Sequence, residues 1–126
     1  MTKTAIASPV LAPPVGPFSQ AIRADGFLYL SGQIGVDPAT GTLAEGGVAA
    51  QTERVLRNLQ AVLEAAGKGF ADVVRAGVYL TNMGDFAAMN QVYAKHLTQP
   101  YPARTTIAVV ALPLGAAVEI DLVVKA

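Results

Sequence analysis

The chain has 126 residues, and nine Lys and Arg balance nine Asp and Glu, so its formal net charge is zero. This length predicts a single domain spanning residues 1–126, and the lack of cysteine excludes disulfides, thiol nucleophiles and thiolate metal sites. With one histidine, His96, a multi-histidine zinc site is excluded. No run of Lys and Arg provides the basic surface that nucleic acid requires, so we expect no such partner.

Charged residues make up only 14% of the chain and hydrophobic residues 52%, whereas typical domains have about 25% charged residues. This balance predicts a homo-oligomer with a buried interface, and an alanine-rich monomer stays the alternative. Prolines interrupt the apolar N-terminus, and no apolar run approaches the ~18 residues of a membrane span. We therefore expect a cytoplasmic protein with no signal peptide and no membrane segment.

The first half of the chain predicts a hairpin followed by a helix. After a proline-rich lead-in, residues 21–35 alternate as two short strands around Asp25-Gly26, a hairpin turn signal. Residues 37–47 carry turn chemistry and predict a surface loop. Apolar residues then recur at helical spacing from Val48 to Ala66, with Asn58 among the polar residues of the other side. Gly67 follows as a C-terminal cap.

The second half predicts a strand, a helix and two further strands. Residues 73–80 form a strand, and Asp85 can cap a helix that extends to about residue 97. Residues 105–112 and 118–124 read as strands joined by a tight turn at residues 113–115. The order β-β-α-β-α-β-β predicts an α+β fold, a mixed sheet with both helices packed on one face. The other face has to be covered, and another subunit is the simplest cover.

Arg104 lies immediately before the predicted strand at residues 105–112. An isolated arginine there is most often a solvated edge charge. The alternative is a guanidinium fork that binds a carboxylate bidentately. Pro100 and Pro102 favour this interpretation, because they stiffen the approach to Arg104 and fix where it emerges.

Glu119 and Asp121 project from one side of the last strand, where they alternate with apolar residues. A solvated polar face accounts well for Asp121, whereas Glu119 could also act as a general base or orient water. If residues 113–115 close a tight hairpin, Glu119 pairs near Val109 and lies roughly 16 Å from Arg104 along the sheet. We therefore expect a neighbouring subunit to supply one of the two if they share a site.

Three further positions are candidate ligand contacts. Ser31 offers a hydroxyl, and Gly32, which has no side chain, lets a ligand approach its N–H closely. A plain strand that runs into a turn is the alternative for both. Asn90 lies beside the apolar stripe of the second helix and could bind a ligand or satisfy nearby backbone. Tyr93 on that stripe is predicted to be a core residue.

Six segments taken in order resemble the RidA (YjgF) family of small enamine/imine deaminases, also described as endoribonuclease L-PSP or translation inhibitors. They are GPFSQA, SGQIG, QTERVLRNLQAVLEAAG, DFAAMNQVYAKHL, YPARTTIAV and VEIDLVV. The likeness covers nearly the whole chain. It implies a fold like bacterial chorismate mutase, a homotrimer with sites at subunit interfaces, and hydrolysis of reactive 2-imino acids to 2-keto acids and ammonia. It implies no cofactor and no metal.

The resemblance also implies residue roles. Arg104 would bind the carboxylate of a small substrate and Glu119 would position or activate water, while Ser31, Gly32 and Asn90 would line the pocket.

Two further pocket positions depart from the family pattern. Phe18 stands where many active members have tyrosine, and Thr106 where many have cysteine. Losing one hydrogen bond to a charged group costs roughly 1.5–3 kcal/mol, which would slow turnover or shift substrate preference.

Three other functions stay open at this point. A non-catalytic sensor of small carboxylates or keto acids could use the same pocket, and Phe18 favours it. RNA cleavage, suggested by the older family description, has little support because the chain lacks a basic footprint. Chorismate mutase activity is suggested by likeness of fold alone, which is a weak argument.

Overall fold

The computed structural model describes residues 2–126. Its main sheet has six strands in the order β1-β2-β3-β8-β6-β7, and a separate two-stranded hairpin is formed by β4 and β5. The strands are β1 (Thr4–Ile6), β2 (Ala21–Ala24), β3 (Phe27–Ile34), β4 (Val36–Asp37), β5 (Thr42–Leu43), β6 (Val73–Leu80), β7 (Ala103–Ala108) and β8 (Val118–Lys125). The helices are α1 (Gly47–Ala65) and α2 (Phe86–His96). The α+β class is confirmed, with three short strands, β1, β4 and β5, added to the predicted order.

The connection between the last two strands differs from the prediction. β7 and β8 do not form a hairpin, because β6 lies between them, antiparallel to β8 and parallel to β7. The tight turn around Pro113–Gly115 exists as a short 3₁₀ segment, with Leu114 in the left-handed region at φ 58°. Glu119 therefore pairs with Tyr79, and the predicted pairing with Val109 is wrong.

The core fills the space between one face of the sheet and the two helices. Helix α1 contributes a stripe of apolar side chains at helical spacing, and α2 contributes a shorter stripe. Strands β6 and β8 contribute side chains from alternate positions. Its largest fully buried side chains are Leu28, Leu56, Leu59, Leu63, Leu80, Met89, Ile120, Val55, Val62, Val78, Val118 and Val124. No helix within residues 2–126 is long and apolar enough to span a membrane.

Local signals fixed the ends of the first elements. Asp25 and Gly26 both have positive φ, 51° and 81°, as a two-residue hairpin of type I′ requires. Helix α1 ends as predicted, with Gly67 at φ 73° and the N–H of Lys68 bonded to the carbonyl of Leu63 at 2.8 Å. Asp85 occupies the N-cap position of α2, but its side chain makes no capping hydrogen bond.

Asn58 is a correction to the predicted polar side of α1, because it is only 2% exposed. Its side-chain amide donates to the carbonyls of Ile34 at 3.3 Å and Val36 at 2.9 Å, and Arg54 donates to its Oδ1 at 3.1 Å. These bonds satisfy carbonyls at the point where the chain leaves β3. A polar residue at a buried helix position thus anchors the strand that carries Gly32.

Within residues 2–126, no helix packs on the opposite face of the main sheet. Alternation along β3, β7 and β8 places both apolar and charged side chains there, among them the half-exposed Tyr29 and Ile107 as well as Glu119 and Asp121. We refer to this surface as the open face. Its mixture of exposed aromatic and aliphatic groups is typical of a surface that another molecule covers.

Candidate active site

Arg104 lies on the edge strand β7 and points toward the helices. It pairs with Ala76, which is fully buried on the helix side. Its guanidinium carbon lies 4.7 Å from the ring centroid of Tyr93 and 5.7 Å from that of Phe86. These rings attract the cation and restrict its orientation. Among residues 2–126 no carboxylate lies within ion-pair distance of Arg104, so its charge is left for a ligand.

A cleft of about 450 Å³ opens beside Arg104. Its lining consists of Asn90, Tyr93, Ala94, Tyr101, Pro102 and Arg104. Residues from α2 form one wall of the cleft, and the segment leading into β7 forms the other. Such a volume suits a small organic molecule, and a cation without an ion-pair partner among residues 2–126 lines the cleft, so it is the strongest candidate site in the described chain.

Three buried polar atoms on α2 and β7 have no hydrogen-bond partner within residues 2–126. They are Asn90 Oδ1, the Tyr93 hydroxyl and Thr106 Oγ1. Burial raises the pKa of Tyr93, and the nearby Arg104 charge offsets only part of that effect, so the phenol stays protonated. Buried polar groups are normally paired, and unpaired ones beside a free cation indicate a site that binds a polar ligand.

Glu119 lies on the open face, half-buried, with Gly32 beside it. A Cβ at position 32 would lie 2.9 Å from Glu119 Cδ, so only glycine leaves room for the carboxylate there. Burial raises the pKa of Glu119, and the negative charge of Asp121 raises it further. A carboxylate whose pKa is shifted upward is suited to accept a proton from water.

Phe18 and Ser31 lie near Gly32 rather than near Arg104. The Ser31 hydroxyl donates to the carbonyl of Ser19 at 2.6 Å, and its N–H donates to the carbonyl of Gln20 at 3.0 Å. Ser31 thus ties the proline-rich segment to β3. Phe18 is 55% exposed and lines a second cleft of about 360 Å³, which Gly32 and Leu114 also line.

The two groups of candidate residues do not meet in one chain. Arg104 pairs with Ala76 and Glu119 with Tyr79, so they are three residues apart, or about 10 Å, along the strands and two strand spacings, also about 10 Å, across them. They also project from opposite faces. Arg104, Asn90 and Thr106 therefore form one half of the candidate set, and Phe18, Ser31, Gly32 and Glu119 form the other.

Sequence reasoning missed two residues of the Arg104 half. The helical spacing predicts a core stripe that includes Phe86 and Tyr93, whereas their rings pack against the guanidinium. Tyr93 is indeed buried, but it also lines the cleft. The i, i+3 spacing of Asn90 and Tyr93 places them on one helix face, a signal that could have joined them to Arg104.

A six-stranded mixed sheet with two helices on one face is the α+β fold expected for the family that the sequence resembles. The family model described as endoribonuclease L-PSP matches residues 10–126. The chain therefore belongs to this family, the RidA/YjgF family.

Comparisons with individual proteins agree with this assignment. The chain is 48% identical to protein DfrA of Myxococcus xanthus over 98% of its own length and 95% of the relative's. It is 44% identical to the 2-iminobutanoate/2-iminopropanoate deaminase of Bos taurus, covering 86% and 80% of the two chains. The crystal structure of RidA from the Antarctic bacterium Psychrobacter sp. PAMC 21119 superposes with a TM-score of 0.92 at 42% identity, covering 98% and 99%.

Proposed function

We propose that this protein hydrolyses reactive 2-imino acids, in equilibrium with their enamines, to 2-keto acids and ammonia. The observation that carries the proposal is the Arg104 guanidinium, which packs on two aromatic rings, has no ion-pair partner among residues 2–126 and lines a cleft with Asn90 and Tyr93. Such a site suits a small carboxylate with a further polar group beside it. The Bos taurus relative, which is 44% identical, is named 2-iminobutanoate/2-iminopropanoate deaminase, and this name supports the same class of reaction.

Arg104 would hold the substrate carboxylate through its planar fork. Asn90 Oδ1 could then accept a hydrogen bond from the imino N–H, and the Thr106 hydroxyl could form a further hydrogen bond with the substrate. The imino carbon is already electrophilic, so the protein has mainly to orient the acid and deliver water. Glu119 would take a proton from that water as its oxygen bonds to the carbon.

Because Arg104 and Glu119 face opposite sides of one sheet, the proposal requires two subunits. In a homotrimer, the Arg104 cleft of one subunit would face Glu119, Gly32 and Phe18 of the next. The apolar residues of the open face supply a surface to bury in such an assembly. The site is then incomplete in an isolated chain, and small carboxylates would bind at the interfaces.

The direct test generates imine in situ from an amino acid with a pyridoxal-phosphate enzyme or an amino-acid oxidase and captures the remaining imine as semicarbazone. We expect this protein to speed keto-acid release over buffer and to suppress semicarbazone formation. Arg104→Ala should abolish that acceleration and weaken binding of a 2-keto acid. Arg57→Ala, which removes an exposed arginine paired with Glu53 on α1, is the matched control and should change neither.

Two results would overturn the proposal in different ways. Keto-acid binding that depends on Arg104, without any acceleration, would identify a carboxylate-binding sensor instead. Full activity in Arg104→Ala would refute the role assigned to that residue.

A further inference from the structure

The open face holds two carboxylates side by side, each next to a glycine. Glu119 and Asp121 are two residues apart on β8, so they share a face about 7 Å apart along the strand. Glu119 lies against Gly32 of β3, and Asp121 pairs with Gly77 of β6. A Cβ at Gly77 would lie 3.3 Å from Asp121 Cγ and 2.8 Å from the Tyr79 oxygen. Both acids thus occupy space that a larger residue would fill.

Asp121 is fixed in place by Tyr79. The Tyr79 hydroxyl donates to Asp121 Oδ2 at 2.9 Å, and Tyr79 is also the direct cross-strand partner of Glu119. The hydrogen bond to Asp121 is the main reason that the pKa of Tyr79 is raised, so the phenol remains a donor. One tyrosine therefore holds one carboxylate while its backbone positions the other.

The basic residues of this face, Arg75 of β6 and Lys125 of β8, form no ion pair with either carboxylate within residues 2–126. Arg75 is the basic residue of β6 on this face, and it donates to the Thr105 hydroxyl of β7 at 2.9 Å. On the β3 side Glu119 meets Gly32 and Ile34, which carry no charge. Among residues 2–126 neither Glu119 nor Asp121 has an ion-pair partner. The negative charge of Asp121 on the same face opposes the ionisation of Glu119, in addition to the effect of burial.

We propose that Asp121, held beside Glu119 by its hydrogen bond from Tyr79, is a positioning residue that acts through the Glu119 carboxylate. The inference rests on the proposed function. There, Glu119 takes a proton from water as the hydroxide bonds to the imino carbon, and returns it to the nitrogen. It then takes the proton of the new hydroxyl and passes it to the same nitrogen as the carbon–nitrogen bond breaks and ammonia leaves. A group that accepts and returns protons in turn works best with a pKa near the working pH.

The test is the titration of Glu119 in the full-length protein, followed by carboxyl ¹³C NMR on glutamate-labelled samples and assigned with Glu119→Gln. Asp121→Asn keeps the shape of the side chain and an oxygen for Tyr79, and it should lower the pKa of Glu119. The acidic limb of the kcat/KM profile for imine hydrolysis should move to lower pH by the same amount. Glu64→Gln, which neutralises an exposed carboxylate on α1, should move neither.

Tyr79→Phe provides a second variant that keeps both carboxylates and removes only the anchor. This variant should lower the pKa of Glu119 by less than Asp121→Asn does. Asp121 keeps its charge but, without its hydrogen bond, can turn away from Glu119. An unchanged Glu119 titration in Asp121→Asn would overturn the inference even if the wild-type protein hydrolyses imines. A lowered Glu119 pKa in a protein without imine hydrolysis would instead overturn the proposed function and leave the electrostatic coupling established.

Discussion

Replacing Gly32 with alanine tests whether the space at this position exists for the Glu119 carboxylate. The new Cβ would lie 2.9 Å from Glu119 Cδ, closer than real Cβ contacts come, and a tight 3.1 Å from Cγ, so the carboxylate must move. The backbone at position 32 lies outside the left-handed region, so alanine adds no conformational strain. The substitution therefore acts on the side chain of Glu119 rather than on the fold.

The expected loss follows from the role given to Glu119. A positioned general base contributes about 10²–10⁴-fold, and a misplacement of about 1 Å can cost about 10²-fold. We therefore expect kcat/KM for imine hydrolysis to fall about 10²-fold or more, with little change in thermal stability. Gly69→Ala is the matched control, because that glycine has φ −142° and no atom lies within 4 Å of the position that an alanine Cβ would take there.

A double-variant cycle decides whether the effect of Gly32→Ala passes through Glu119. In a Glu119→Ala background the new methyl group has no carboxylate to displace, so it should lower activity by no more than about twofold, which corresponds to the ~0.5 kcal/mol within which independent substitutions add. If Gly32→Ala causes its full loss in that background as well, the glycine serves the ligand directly and the reasoning is refuted.

Two further predictions concern stability. Asn58→Ala should lower the free energy of unfolding by about 2–3 kcal/mol, because it leaves the buried carbonyls of Ile34 and Val36 without donors; equal urea midpoints for this variant and the exposed control Gln60→Ala would contradict it. The hydrogen bond from His96 is the main reason that the pKa of Glu53 in the folded protein lies below its ordinary value of 4.5. Glu53 therefore stabilises the fold fully above pH 4.5, and this stabilisation is lost as the pH falls through its lowered pKa. Acid unfolding curves should therefore be less steep in Glu53→Gln than in the wild type, and parallel curves would refute this.

Elements with strong local signals could be predicted from the sequence. The Asp25-Gly26 turn demands positive φ at both positions, and the apolar stripe of α1 ends at a glycine cap, so short-range chemistry determined both. The order of strands in the sheet was harder. Nothing local indicates that β6 inserts between β7 and β8, because parallel pairing of β6 with β7 depends on the crossover through α2.

The sequence indicated individual candidate residues but not how they are arranged. Arg104 and Glu119 stood out because charges interrupt apolar strands. The two residues are separated within one chain, as expected, but not because of the hairpin that the prediction assumed. The assumed hairpin was wrong, whereas the strand register places them on opposite faces. The aromatic support of Arg104 by Tyr93 and Phe86 arises from packing between α2 and β7, which no single segment encodes.

The measurement that tests the central claim most directly is subunit complementation. Arg104→Ala and Glu119→Ala should each retain only a small residual activity alone, about 10²-fold or more below wild type, since each removes one half of the proposed shared site. When equal amounts are unfolded together and refolded, random assembly into closed rings should restore about one quarter of the wild-type imine hydrolysis, because about one interface in four combines both intact halves. No recovery in mixed oligomers that demonstrably exchange subunits would contradict a site shared between neighbouring chains.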